Sequence, residues 1–210
     1  MFSSMHDLTD RGQFLNVAAL FEGGLVVVAI VLGWLVGVNP LEYLIFKWES
    51  IAWGVVAAVP MILLFLLSYR FPVGPFLKIK QFLVEMLGPP LAACRWYELI
   101  LLAIIVGLSE EILFRGVLQP WFETLGGPAV GLAGSNVLFG LAHFITPLYG
   151  VLAGLIGCYL GWLLDGSGER NVLIPVIAHA VYDYFAFMVV VRGYRRELEH
   201  PSQDSLSEEE

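Results

Sequence analysis

The residues of this chain best suited to chemistry are acids and imidazoles set inside apolar stretches. The stretch LILLAIIVGLSEEILFRGVLQPWF carries Glu110, Glu111 and Arg115, a second carries Asn136 and His143, and a third carries His179 and Asp183. Glu111 and Arg115 stand four residues apart, as do His179 and Asp183, so on a helix each pair shares a face. An ion pair between Glu111 and Arg115 leaves Glu110 available for other work. A carboxylate near imidazoles can take a proton from water, the first requirement for hydrolysing an amide; the same groups also line proton and cation pathways. Taken singly, a buried histidine or one Glu–Arg pair is ordinarily a packing or hydrogen-bonding feature. Two acids, two histidines and a further acid in an otherwise apolar setting ask for more than that. Asn136 is expected to bond helix to helix, with membership of the site as a second reading, and Phe114 and Phe139 read as core packing.

These groups need elements that hold them away from lipid, since each charge facing lipid near the bilayer centre costs roughly 2.5–3.5 kcal/mol. Of the 210 residues 58% are hydrophobic and 14% charged, against roughly 25% charged in a soluble domain. That balance predicts an all-α polytopic membrane bundle. Six segments have the ~20 apolar residues of a transmembrane helix or nearly so: Val17–Gly37, Ile51–Tyr69, Trp96–Phe122, Ala129–Ile145, Leu148–Leu164 and Val172–Val191. The chain divides into an N-terminal part, 1–95, a core, 96–191, and an acidic C-terminal tail, 192–210, expected to be disordered. The mixed segment Arg70–Arg95 reads either as an amphipathic helix in the interface or as a connecting loop. No cleavable signal sequence is expected, so the first helix is retained.

Six spans put both termini on one side. Arg11, Arg70, Lys78, Lys80, Arg95, Arg192, Arg195 and Arg196 then share that side, and only Lys47 and Arg170 lie opposite. The positive-inside rule makes the shared side cytoplasmic, with a bacterial plasma membrane as the expected location. A depth count joins the helices: about a turn at Gly127, Glu111 lies sixteen residues before and His143 sixteen after, each ~24 Å from the turn. Asp183, fifteen residues beyond a turn near Gly168, is level with them. Straight helices thus permit the polar residues of separate spans to meet in one layer.

The same residues form three motifs. Glu110-Glu111-Ile-Leu-Phe-Arg115 resembles the E-E-x-x-x-R motif of the CAAX protease and bacteriocin-processing family of intramembrane peptidases, whose members include the type II CAAX prenyl endopeptidases. Phe139-Gly-Leu-Ala-His143 resembles its F-x-x-x-H motif, and His179-Ala-Val-Tyr-Asp183 its H-x-x-x-N/D motif. The resemblance covers about 95–190. It implies cleavage of a peptide bond in or at the edge of the bilayer, with Glu110 as the base that activates water and with Glu111 and Arg115 in support. It implies His143 and His179 as metal ligands or water-positioning groups, and Asp183 as a further ligand or acceptor. A carboxylate at 183 cannot donate to an oxyanion unless protonated. A divalent metal, zinc among the candidates, is expected by this resemblance on His143, His179 and Asp183; a metal-free, glutamate-dependent reaction is the alternative. The implied partners are membrane lipids and a hydrophobic or lipidated peptide.

Other classes are disfavoured. The formal charge of −8 owes much to six acids in Glu197–Glu210, and no basic stripe points to nucleic acid. There is no G-x-S-x-G, no H-E-x-x-H, and Cys94 and Cys158 read as reduced packing residues. A non-catalytic scaffold or immunity-type protein of the same family is the alternative function. An ion-coupled transporter stands third, weakened by the lack of internal repeats.

Overall fold

The computed structural model describes residues 11–200, and among them every regular element is helical. The elements are α1 (Arg11–Val36), α2 (Trp48–Arg70), α3 (Pro75–Phe82), α4 (Gly88–Ala93), α5 (Trp96–Leu113), α6 (Gln119–Gly126), α7 (Pro128–Ala142), α8 (Pro147–Leu163) and α9 (Leu173–Glu199). π-helical turns at Leu83–Leu87 and Phe114–Leu118 join α3 to α4 and α5 to α6 without a break in the helical run. Starts follow local chemistry. Prolines open α3, α7 and α8, where a missing N–H costs nothing. At the head of α5 the backbone N–H of Arg95 donates to Glu98 Oε2 at 2.7 Å.

Each expected apolar segment coincides with a helix, but the helices differ in reach. Three, α1, α2 and α9, are long and apolar enough to cross a membrane, whereas α7 and α8 have 15 and 17 residues. Fifteen residues span about 22 Å, less than the ~30 Å hydrocarbon core. The segment expected as a third span is α5, the second π turn and α6 in succession. Arg70–Arg95 is helical rather than a loop, and Leu83, Val84 and Leu91 are buried. α9 continues past the expected end at Val191 as far as Glu199, so 192–199 is helix and not disordered tail. The remainder of that tail, 201–210, lies outside the described residues.

α1 and α2 pack directly on the core. Ala29 of α1 joins Ile112, Leu113, Val117, Phe139 and Ala153 in one buried cluster, and Ala57 and Met61 of α2 join Leu160, Ile174 and Ala178 in another. Their outer faces stay apolar and bare, with Leu20 78% and Trp34 80% exposed, as lipid-facing positions are. Close approach comes from missing side chains. A Cβ on Gly107 of α5 would lie 3.0 Å from Val176 O of α9, and one on Gly140 of α7 would lie 2.6 Å from Gly150 O of α8. Such small-residue contacts let helix backbones touch where no hydrophobic drive distinguishes protein from lipid.

One end of the bundle is clamped. Arg170 donates to Asp165 Oδ1 at 2.8 Å and Glu123 Oε2 at 2.7 Å, and lies over the Tyr43 ring. Those hydrogen bonds hold its guanidinium above its usual pKa range. Asn171 Nδ2 donates to Ile45 O at 2.8 Å and Ser50 Oγ at 2.9 Å, tying the α1–α2 connection to the α8–α9 connection.

Candidate active site

The site is assembled around Arg115, which the π turn carries into the interior and which is fully buried. Nη1 donates to Glu111 Oε1 at 3.0 Å; Nη2 donates to Asn136 Oδ1 at 2.9 Å and to Gly157 O at 2.6 Å. The guanidinium carbon lies 4.9 Å from the Phe139 ring centroid. A buried cation needs such partners, because each unsatisfied donor costs a desolvation penalty; Nη1 and Nη2 have theirs, while Nε has no hydrogen-bond partner among the described residues. α8 makes it possible. Gly157 and Gly161 present bare backbone, so that Arg115 reaches Gly157 O and Gln119 Nε2 reaches Gly161 O at 3.2 Å. A Cβ on Gly157 would sit 2.4 Å from Asn136 Oδ1.

Glu111, also fully buried, links Arg115 to α9: its Oε1 accepts from His179 Nδ1 at 2.8 Å. His143 Nδ1 lies 2.9 Å from Phe139 O, and the His143 ring stacks on Phe139 with centroids 4.4 Å apart. A carbonyl only accepts, so His143 carries its proton on Nδ1, and the Nδ1 contact to Glu111 does the same for His179. Each imidazole is left with Nε2 toward Glu110. Glu110 Oε2 is 3.7 Å from His143 Nε2 and 4.0 Å from His179 Nε2, while His179 Nε2 is 3.6 Å from Asp183 Oδ2. These separations exceed a direct hydrogen bond. Glu110 is 8% exposed, and its Oε2 has no hydrogen-bond partner among the described residues.

All six residues singled out by the motifs, Glu110, Glu111, Arg115, His143, His179 and Asp183, therefore meet in one cluster contributed by α5, the second π turn, α7 and α9. Asn136 meets them as a ligand of Arg115. Phe114 and Phe139 pack edge to face with centroids 4.8 Å apart. His143, His179 and Asp183 open onto a cavity of about 180 Å³ that runs between α2, α3, α8 and α9 and is lined mainly by apolar side chains. Lys80 and Tyr149 also line it.

Among the described residues no group of three or more His, Cys, Asp and Glu side chains is arranged to hold a metal ion. The imidazole nitrogens are chemically suited to one, each with its other ring nitrogen anchored.

Sequence reasoning missed some members. Glu22 of α1 is buried against α5, its Oε2 2.5 Å from Ser109 Oγ. The available signal was its being the single acid inside Val17–Gly37, which by itself does not link it to the site. Gly150, Gly154, Gly157 and Gly161 form the stripe on which Asn136, Arg115 and Gln119 rest, and their helical spacing was the available signal.

Residues 92–185, which hold all six motif residues, match the sequence model of the type II CAAX prenyl endopeptidase Rce1-like family. The match covers a little under half of the chain and makes this part of it similar to that family. YpbD, an uncharacterized protein of Bacillus subtilis strain 168, is 29% identical over 104 residues, which is 48% of this chain and 50% of that protein. The chain thus spans about half the length of the curated relative it matches. No solved structure matches the chain. The Rce1-like segment starts just ahead of α5 and ends within α9, so α1 and α2 lie outside it.

Proposed function

We propose that the chain is an intramembrane endopeptidase that hydrolyses a peptide bond in a hydrophobic or lipidated peptide held in the cavity between α2, α3, α8 and α9. The match of residues 92–185 to the Rce1-like family supports the protease class. The observation that carries the mechanism is Glu110 Oε2, unpartnered and within 4.0 Å of both imidazoles. A water bridging Glu110 to His143 and His179 loses a proton to Glu110 as its oxygen adds to the peptide carbonyl. The proton on Glu110 then passes to the departing amine as the C–N bond breaks. The oxyanion needs donors. Asp183 as a carboxylate accepts only, so we assign the donor role to the hydroxyl of Tyr149, whose side chain lines the same cavity. Arg115 is committed to Glu111, Asn136 and Gly157, so its work is to hold Glu111, and through Glu111 the ring of His179.

No step in this reading passes through a metal. The apolar lining suits an alkyl, isoprenyl or leucine-rich substrate, and Lys80 is the lining cation available to a carboxylate of the substrate. Both termini are placed on the cytoplasmic side of a multi-pass protein by the Lys and Arg count.

The test uses purified protein in detergent with a quenched fluorescent hydrophobic peptide, with and without an S-farnesyl cysteine near its C-terminus. Wild type is expected to cleave at least one of them. Glu110→Gln is expected to lose at least about 100-fold in kcat, the lower range for removing a general base, with an unchanged unfolding midpoint. Full activity in Glu110→Gln overturns the role of Glu110.

A further inference from the structure

Glu22 lies on α1, outside the Rce1-like segment, and has no part in the mechanism above. Its side chain is 6% exposed and stands on the buried stripe Glu22, Ala29, Gly33 of an otherwise bare helix. None of the ion pairs among the described residues includes it. A carboxylate buried without a cation at membrane depth is costly, while a carboxylic acid with one acceptor is not.

The hydrogen-bond count around Ser109 points the same way. Ser109 Oγ has a single proton and three oxygens within reach: Glu22 Oε2 at 2.5 Å, Ile105 O at 2.8 Å and Val106 O at 3.1 Å. The two backbone carbonyls can only accept. When the hydroxyl makes the usual helix back-bond to Ile105 O, the short contact to Glu22 requires a proton on the carboxyl. Ser109 immediately precedes Glu110, so whatever fixes Ser109 fixes the turn of α5 that aims the base.

We propose that Glu22 is a positioning residue of this site: a neutral carboxylic acid on α1 that donates to Ser109 and thereby orients Glu110. Of the groups it faces, the two carboxyls favour a neutral form and the two imidazoles oppose it. Glu110 from α5, His143 from α7, and His179 and Asp183 from α9 lie within electrostatic range. Arg115, on the π turn that also packs against α1, is committed elsewhere, and α4 carries no titratable group. An uncharged Glu22 adds no like charge beside Glu110.

The catalytic consequence rests on the peptidase reading; the protonation does not. The first measurement is therefore infrared spectroscopy of the full-length protein at neutral pH, wild type against Glu22→Gln. The C=O stretch of a buried protonated carboxyl should be present in wild type and lost in the variant. Its absence in wild type, or its persistence in Glu22→Gln, overturns the proposal. The second is cleavage of the quenched peptide. Glu22→Leu should lower kcat about tenfold, or about 1.4 kcal/mol, with KM within about twofold. Glu22→Gln, a neutral isostere whose amide still donates to Ser109, should recover most of that loss. A Gln variant as impaired as Leu, or a Leu variant with wild-type kcat, overturns the positioning role. If wild type cleaves no peptide and Glu110→Gln is indistinguishable from it, the peptidase reading fails, and the positioning role with it; the infrared band then decides the protonation alone.

Discussion

Arg115 is the residue on which the interior arrangement turns. It is fully buried, and its partners come from its own run, from α7 and from α8. Removing it leaves Glu111 as an uncompensated buried charge and strips Asn136 and Gly157 O of their donor. Arg115→Ala is therefore expected to destabilise the protein by about 3–5 kcal/mol, the range for breaking a buried pair, read as a fall in unfolding midpoint in detergent. Arg115→Lys should recover little, since one ammonium cannot reproduce a planar fork spread over three acceptors. An Arg115→Ala variant with a wild-type midpoint would show that Glu111 finds support elsewhere. The identities of the cluster were legible at this scale because acids and imidazoles are rare within apolar runs. Glu22 was not, because a single acid in a long apolar helix reads as an isolated feature until its neighbour Ser109 is placed beside it.

At the scale of elements, the pairing of α7 with α8 sets the geometry of the site. Gly157 is the position where a side chain is least tolerable, with Asn136 Oδ1 2.4 Å and Arg115 Nη2 3.2 Å from a built Cβ. Gly157→Ala must push α8 away from α7 or break the Asn136–Arg115 bond. The expected loss is about 1–3 kcal/mol, the cost of overpacking, together with a fall in kcat as Glu111 and His179 lose their support. Gly24→Ala supplies the control, since a Cβ there meets nothing within 4 Å. Unfolding midpoints for the two variants measured side by side decide it; equal midpoints would mean the α7–α8 contact yields easily. The π turn at Phe114–Leu118 belongs to the same scale. It lets one unbroken helical run carry Glu110 and Glu111 on the α5 side and Arg115 into the interior, a local adjustment that a strict four-residue spacing does not announce.

For the whole molecule, helix length and charge distribution govern its setting in the bilayer. α1, α2 and α9 are long enough to cross, whereas α7 and α8 are short and joined to neighbours through proline-started turns. The Lys and Arg distribution, eight on the side of the termini against two at the Arg170 end, predicts cytoplasmic termini. Reporter fusions at residue 210 should be active in the cytoplasm and silent outside; the reverse result would invert the orientation and place the clamp of Arg170 and Asn171 inward. The cavity between α2, α3, α8 and α9 would then open toward the other leaflet, which changes the substrates that can reach it.

Composition and spacing by themselves determined that this is a helical membrane bundle, since no soluble surface can be made with so few charges. They also singled out which acids and imidazoles could converge, since a charge in lipid is tolerated only beside partners. Residues 92–185, which match the Rce1-like sequence model, contain those positions. Tertiary structure alone decided the rest: the lengths of α7 and α8, the helical start of the expected tail, the glycine stripe beneath Arg115, and the entry of Glu22 from a helix outside the matched segment. The physical reason is that these depend on how closely two backbones approach. Close approach is a joint property of both helices, and periodicity along one strand of sequence does not contain it.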